Sequence, residues 1–176
     1  MPRGRTCDTC RRHTHLSGVA VAAHFEIGPV RELVHELKYS GTIELAKLMG
    51  AMLAHTVATN GLTDFMLVPV PLHSGRLAGR GFNQAELLAQ QVVERLEMVV
   101  RSALARVRPT GSQTKLTRLE RLKNVQEAFR CRGEVADKNI LLVDDVMTTG
   151  ATLEECAVTL KKAGAKRVWA VVVARG

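Results

Sequence analysis

Aromatic residues are scarce in this chain: they make up 3% of 176 residues, with one tryptophan, one tyrosine and four phenylalanines. Proteins that hold single-stranded nucleic acid without sequence preference stack bases on aromatic side chains. A base-stacking platform is therefore a weak expectation. Long apolar runs are missing as well. No stretch approaches the roughly 18 apolar residues of a membrane-spanning helix, so membrane insertion is not expected. The start, Met1-Pro2-Arg3-Gly4-Arg5, lacks the apolar core of a secretory signal, and the expected location is cytoplasmic. Only four cysteines occur; without a secretory signal they argue against a disulfide framework. Acids are outnumbered, 17 against 25 Lys and Arg, giving a net charge of +8. That excess suits polyanionic partners, either nucleic acid or phosphorylated small molecules, and does not choose between them.

What is present describes a folded globular chain: 46% hydrophobic residues and a mean hydropathy of +0.01, at a length suited to one domain with a sizeable core. Val19 to Phe25 reads as a strand. A helix follows Gly28-Pro29 with Val30, Leu33, Val34 and Leu37 on one face, and a second spans about Ile43 to Ala58. Phe65 to Pro71 is a strand interrupted by prolines, which cannot donate to a ladder. Asn83 caps a helix Gln84 to Leu96. Strands are expected at 98–106 and Ala128 to Cys131, then Ile140 to Val143, a helix Leu153 to Ala163 and a strand Arg167 to Ala174. This alternation predicts an α/β fold with a mainly parallel central sheet flanked by helices. The expected organisation is a short N-terminal segment, 1–16, and one domain, 17–176.

The chemistry concentrates in Ile140-Leu-Leu-Val-Asp144-Asp145-Val-Met147-Thr148-Thr149-Gly150-Ala151-Thr152. Four apolar residues suit a strand buried on both faces. Two carboxylates follow at its carboxyl end, where open α/β sheets place their ligand crevice. Small residues and hydroxyls then open a helix, and backbone N–H groups at a helix N-terminus cradle anions. Carboxylates beside an anion cradle would repel the anion unless they grip something else, and sugar hydroxyls a few ångströms away satisfy both. That combination describes a ribose 5-phosphate site.

Two further loops carry cations. Leu72 to Asn83 holds Arg76 and Arg80 among three glycines, with His73 at its start; glycine permits close backbone approach, and arginine grips phosphate bidentately. The segment 106–124 is rich in cations and reads as a long binding loop. At the N-terminus, Cys7-Asp-Thr-Cys10 has metal-ligand spacing, with His13 and His15 behind it. Three readings stay open there: half of a zinc site, a compact site completed by both histidines, or a basic tail without metal. No G-x-x-x-x-G-K-[ST] occurs, which removes a P-loop NTPase.

Val-Asp-Asp-Val-Met-Thr-Thr-Gly-Ala-Thr (143–152) resembles the signature of type I phosphoribosyltransferases, which use phosphoribosyl pyrophosphate (PRPP) and Mg²⁺. With LKYSG (37–41), VPVPLH and RGFNQAELLA (within 68–89) and RPTGSQTKLTRLERLKNVQEAF (108–129), it is similar to the ComF family, which includes bacterial competence proteins and gluconate-associated GntX-type proteins. The resemblance implies a type I phosphoribosyltransferase fold. It places Asp144 and Asp145 on the ribose hydroxyls and Met147, Thr148, Thr149, Gly150, Ala151 and Thr152 at the 5-phosphate. His73, Arg76 and Arg80 fall in the pyrophosphate loop. Thr110, Gln113 and Asn124 fall in a flexible loop that closes over PRPP, with Arg121 and Lys123 joining the two aspartates in catalysis. Family members often open with two Cys-x₂-Cys pairs that bind zinc. Here Cys7 and Cys10 form one such pair, the other being lost or preceded by a start assigned too late. The last strand ends the chain, so an acceptor hood is expected from about residues 1–45.

Two functions follow from the resemblance. One is transfer of phosphoribosyl from PRPP to an acceptor, with Mg²⁺ and release of pyrophosphate. The other is a catalytically silent scaffold or PRPP sensor in DNA uptake, working beside a helicase-like partner and single-strand-handling proteins and touching single-stranded DNA.

Overall fold

The computed structural model describes residues 4, 6, 13–24, 29–40, 43–109 and 118–176. Its strands are β1 (Gly18–His24), β2 (Met66–Pro69), β3 (Leu104–Arg106), β4 (Phe129–Cys131), β5 (Asn139–Met147) and β6 (Arg167–Arg175). Its helices are α1 (Val30–Ser40), α2 (Ile43–Thr59), α3 (Ser74–Arg80), α4 (Gln84–Leu96), α5 (Arg118–Val125) and α6 (Ala151–Lys162). Four parallel strands in the order β1-β6-β5-β2 form the central sheet, and β3 and β4 form a separate antiparallel ribbon.

Period-2 alternation along β5 divides the core. Leu141 and Val143 join Leu37 of α1, Met49 and Leu53 of α2 and Leu88 of α4 on one face. Ile140 and Leu142 join Leu153, Cys156 and Leu160 of α6, with Leu104 and Phe129 of the ribbon, on the other. In β6 every residue from Val168 to Ala174 is buried, as a parallel strand covered by helices on both faces requires. Each fully buried Leu or Val contributes about 1.5–3 kcal/mol. The carboxyl ends of the strands gather at one edge: Pro69 pairs with Val143, and Met147 pairs with Arg175, itself opposite His24.

Several expected elements change shape. Residues 98–106 do not form one strand; a single bridge, Leu67 to Val100, precedes the short β3. The glycine-rich segment 72–83 coils into the seven-residue α3. Glycines cost about 1 kcal/mol each in a helix, which is why the sequence reads as a loop. Both ends compensate: His73 Nδ1 accepts from the Gly75 amide at 3.2 Å, and Gly81, at φ 82°, adopts the left-handed conformation that ends the helix. The far end of the expected flexible loop, 118–124, is helical in α5. Val125 is buried there, and α5 packs on α6. β5 also runs past Val143 to Met147, so both aspartates sit within the strand.

Candidate functional site

Alternation along β5 sends Asp144 and Asp145 to opposite faces. Asp145 falls on the side of Leu141 and Val143, beneath α1, and is 3% exposed. Its Oδ2 lies 2.8 Å from Lys38 Nζ, and its Oδ1 accepts from the Val146 amide at 2.8 Å. Asp144 is half-buried on the side of α6, and its Oδ1 accepts from the Asp145 amide at 2.9 Å. Burial, and then the adjoining Asp145 carboxylate, pushes Asp144 well above the ordinary carboxylate range, with Lys38 pulling the other way. The same carboxylate acts on its neighbours. Burial and then Asp144 raise the Cys156 thiol beneath it.

Beyond β5 the chain turns through Thr148 and Thr149 to Gly150, which at φ 78° takes a left-handed conformation immediately before α6. Thr149 Oγ1 accepts from the Ala151 amide at 3.4 Å. Asp144 and residues 146–153 line a cup of about 40 Å³ at the N-terminus of this helix. The N-terminal segment braces the opposite side of the same turn: Glu154 accepts from the Thr14 hydroxyl and from the His15 amide (2.9 Å), with His15 Nδ1 at 2.8 Å.

The cup opens onto a cleft of about 870 Å³ across the carboxyl edge of the sheet. Asp144, Asp145, Thr148 and Thr152 form its floor. Arg76 and Arg80 of α3 face it from one side, Arg31, Lys38 and Tyr39 of α1 from another, and Arg106 of β3 completes the wall. Arg80 is tethered to Gln84 at the start of α4. The Arg106 guanidinium lies over the Phe129 ring, 5.3 Å from its centroid. Burial and the nearby Arg76 lower its proton affinity, while Cys156 and Asp144 oppose that effect.

The residues singled out in the sequence separate into groups. Asp144, Asp145, Thr148, Thr152, Arg76 and Arg80 line the cleft, and Met147, Thr149, Gly150 and Ala151 line the cup. His73 caps α3 and is not among the cleft-lining residues. Lys123 is exposed on α5 and Asn124 half-buried; neither lines the cleft. The Asn124 carbonyl accepts instead from Arg108 Nη2 at 3.0 Å. Thr110, Gln113, Cys7 and Cys10 lie outside the described residues, as does the side chain of Arg121. Among the described residues no cluster of three His, Cys, Asp or Glu is placed to hold a metal.

Lys38, Arg31, Tyr39 and Arg106 are cleft residues that the reading of the sequence did not select. Arg106 carried a signal: it shares a face of β3 with buried Leu104, and a charge on a core-facing position asks for a reason. Lys38 follows the apolar stripe of α1 and closes on Asp145 only through the packing of helix on sheet.

Comparison with known proteins agrees with this architecture. Residues 77–176 match the phosphoribosyl transferase domain family. The DNA utilization protein YhgH of Escherichia coli (strain K12) is 37% identical over 146 residues, covering 80% of this chain and 64% of that protein. Competence protein F of Haemophilus influenzae is 28% identical over 172 residues, 92% of this chain and 75% of the relative. Competence protein ComFC of Streptococcus pneumoniae is 31% identical over 140 residues, 79% and 60% respectively. The chain thus spans 64% of the length of the Escherichia coli relative. Among the described residues, no helix is long and apolar enough to cross a membrane. With its parallel sheet, its Asp144-Asp145 strand and these relatives, the chain belongs to the ComF family of phosphoribosyltransferase-like proteins.

Proposed function

We propose that this chain binds PRPP together with Mg²⁺ and transfers its phosphoribosyl group to an acceptor. The observation that carries the reading is the convergence of two carboxylates, a backbone cup at a helix N-terminus and two α3 arginines on one cleft. In this reading the amides and hydroxyls from Thr148 to Thr152 hold the 5-phosphate, where the helix terminus favours negative charge. Asp144 and Asp145 accept hydrogen bonds from the ribose hydroxyls. Arg76 and Arg80 hold the departing pyrophosphate and stabilise its charge as the anomeric bond breaks.

The donor set suits a Mg²⁺ ion carried largely by substrate oxygens. Two adjacent carboxylates are present without a third protein ligand among the described residues, and Mg²⁺ keeps most of its shell in waters and phosphates. When bound, that ion would supply charge neutralisation at the pyrophosphate. Asp144 and Asp145 would hold it, and a nearby cation reverses the repulsion between them.

A second reading draws on the names of the relatives, which speak of competence and DNA utilization. In it the same cleft serves a PRPP sensor or scaffold acting with a helicase, single-strand-handling proteins or single-stranded DNA, without turnover. Calorimetric titration of PRPP with and without Mg²⁺, beside an Asp145→Asn variant, tests the binding step on which the transferase and the sensor rest. Metal-dependent binding that the variant loses supports a working site, and pyrophosphate release in an acceptor screen then separates enzyme from sensor. A wild-type protein that binds no PRPP would sink the transferase and the sensor and leave the scaffold.

A further inference from the structure

We propose that Arg106 of β3 is a pyrophosphate anchor, extending that subsite beyond the α3 arginines to the β3–β4 ribbon. The inference rests on the PRPP reading and adds a residue from a different structural element.

The ribbon is short, with Leu104 opposite Cys131 and Arg106 opposite Phe129. Alternation places the Arg106 side chain on the same face as Leu104, which is 4% exposed. An inward arginine there displaces an apolar side chain that would pack the ribbon without any desolvation cost. It is nevertheless held in a defined place, its guanidinium over Phe129 at 5.3 Å and its edge in the wall of the cleft. The backbone reinforces the placement. A parallel bridge joins Arg106 to His73, the residue that caps α3, so β3 and the start of the arginine helix are tied together.

Arg76 lies on that helix and lines the same cleft. The electrostatics between the two residues are unfavourable: burial and Arg76 both act against the charge on Arg106, and Arg108 adds to them. Cys156 and Asp144 act in its favour. Two planar guanidinium forks lining one cleft, Arg106 half-buried and Arg76 exposed, form a site for a polyanion, since each fork presents paired donors to phosphate oxygens. Pyrophosphate has the charge and the two phosphate groups to engage both. A role confined to balancing Asp144 would require neither cleft exposure nor the proximity of Arg76.

The test uses the two halves of the substrate as probes. The full chain, Arg106→Gln, Arg106→Lys and Asp145→Asn are titrated with Mg²⁺-pyrophosphate and, separately, with ribose 5-phosphate. Arg106→Gln is expected to bind pyrophosphate about 10- to 100-fold more weakly, the loss of a charge-assisted anchor, while ribose 5-phosphate binding is unchanged. Arg106→Lys should fall between, because it keeps the charge and loses the fork; it also serves if the Gln variant does not fold. Asp145→Asn, which removes a carboxylate from the ribose and Mg²⁺ site, should weaken ribose 5-phosphate binding. Wild-type affinity for pyrophosphate in both Arg106 variants would overturn the proposal. So would an equal loss of both probes, which marks a structural role through Phe129 or Asp144. If the wild-type chain binds neither probe, the PRPP reading fails first and the anchor falls with it.

Discussion

Removing Lys38 should cost more stability than removing the charge of its partner. Lys38 Nζ and Asp145 Oδ2 are 2.8 Å apart, but the side chains are 28% and 5% exposed. In Lys38→Met the apolar stem stays and the ammonium is lost, leaving a carboxylate that accepts from the Val146 amide and has little access to water. Breaking a fully buried pair from one side costs about 3–5 kcal/mol. The partly open lysine end reduces that to about 2 kcal/mol. Asp145→Asn is nearly isosteric, and the lysine it strands can turn toward solvent, so its cost should be below about 1 kcal/mol, as for exposed pairs. At about 2–4 °C per kcal/mol for a chain of this size, Lys38→Met should lower Tm by roughly 4–8 °C. The double variant should recover part of the loss, because neither charge is left buried alone. Thermal and urea denaturation of the four proteins at one pH measures the difference. Equal losses in the two single variants, or strictly additive losses in the double, would refute the argument that burial sets the asymmetry.

Asp144 carries a pH dependence of definite sign. Its native carboxyl is raised by burial and by Asp145, whereas in the unfolded chain it titrates near 3.9. Between those values the native state holds more protons than the unfolded state. Its contribution to stability is therefore lost as pH rises through that window. Asp144→Asn should flatten this part of the stability–pH curve and raise Tm at neutral pH while abolishing PRPP binding; a steeper curve, or a lower neutral Tm, would contradict it. Gly50→Ala should destabilise by about 1–3 kcal/mol in chemical denaturation despite better helix propensity, because a Cβ there would meet Gln91 Cβ of α4 at 2.2 Å. Gly150→Ala forces a left-handed residue at φ 78° at the rim of the cup. It should cost about 1 kcal/mol in denaturation and weaken ribose 5-phosphate binding in calorimetry, with the pyrophosphate probe unaffected.

Elements with strong local patterns are legible in the sequence. The helix Gln84–Leu96 with its Asn83 cap was legible because the Asn83 side chain accepts from the Ala85 amide at 3.1 Å, a contact within one turn. The central strands were legible because burial on both faces demands continuous apolar runs. The acid pair and the Thr-Gly turn were legible as one stretch because they are neighbours in the chain, although β5 runs on to Met147 and takes both aspartates into the strand. The α3 helix was not. Its glycines argue for a loop, and what holds it is a histidine cap at one end and a left-handed glycine at the other. Lys38 and Arg106 were not chosen either, although the stretches that carry them were noticed. The 37–41 segment, α1 and β5 are separated by about 100 positions in sequence, and only packing of α1 against the sheet brings the lysine to Asp145. Chemistry carried by neighbours in the chain was written in the amino-acid order. Chemistry that depends on two elements meeting across the sheet was decided by the tertiary structure, because a charge's partner is set by which faces pack together.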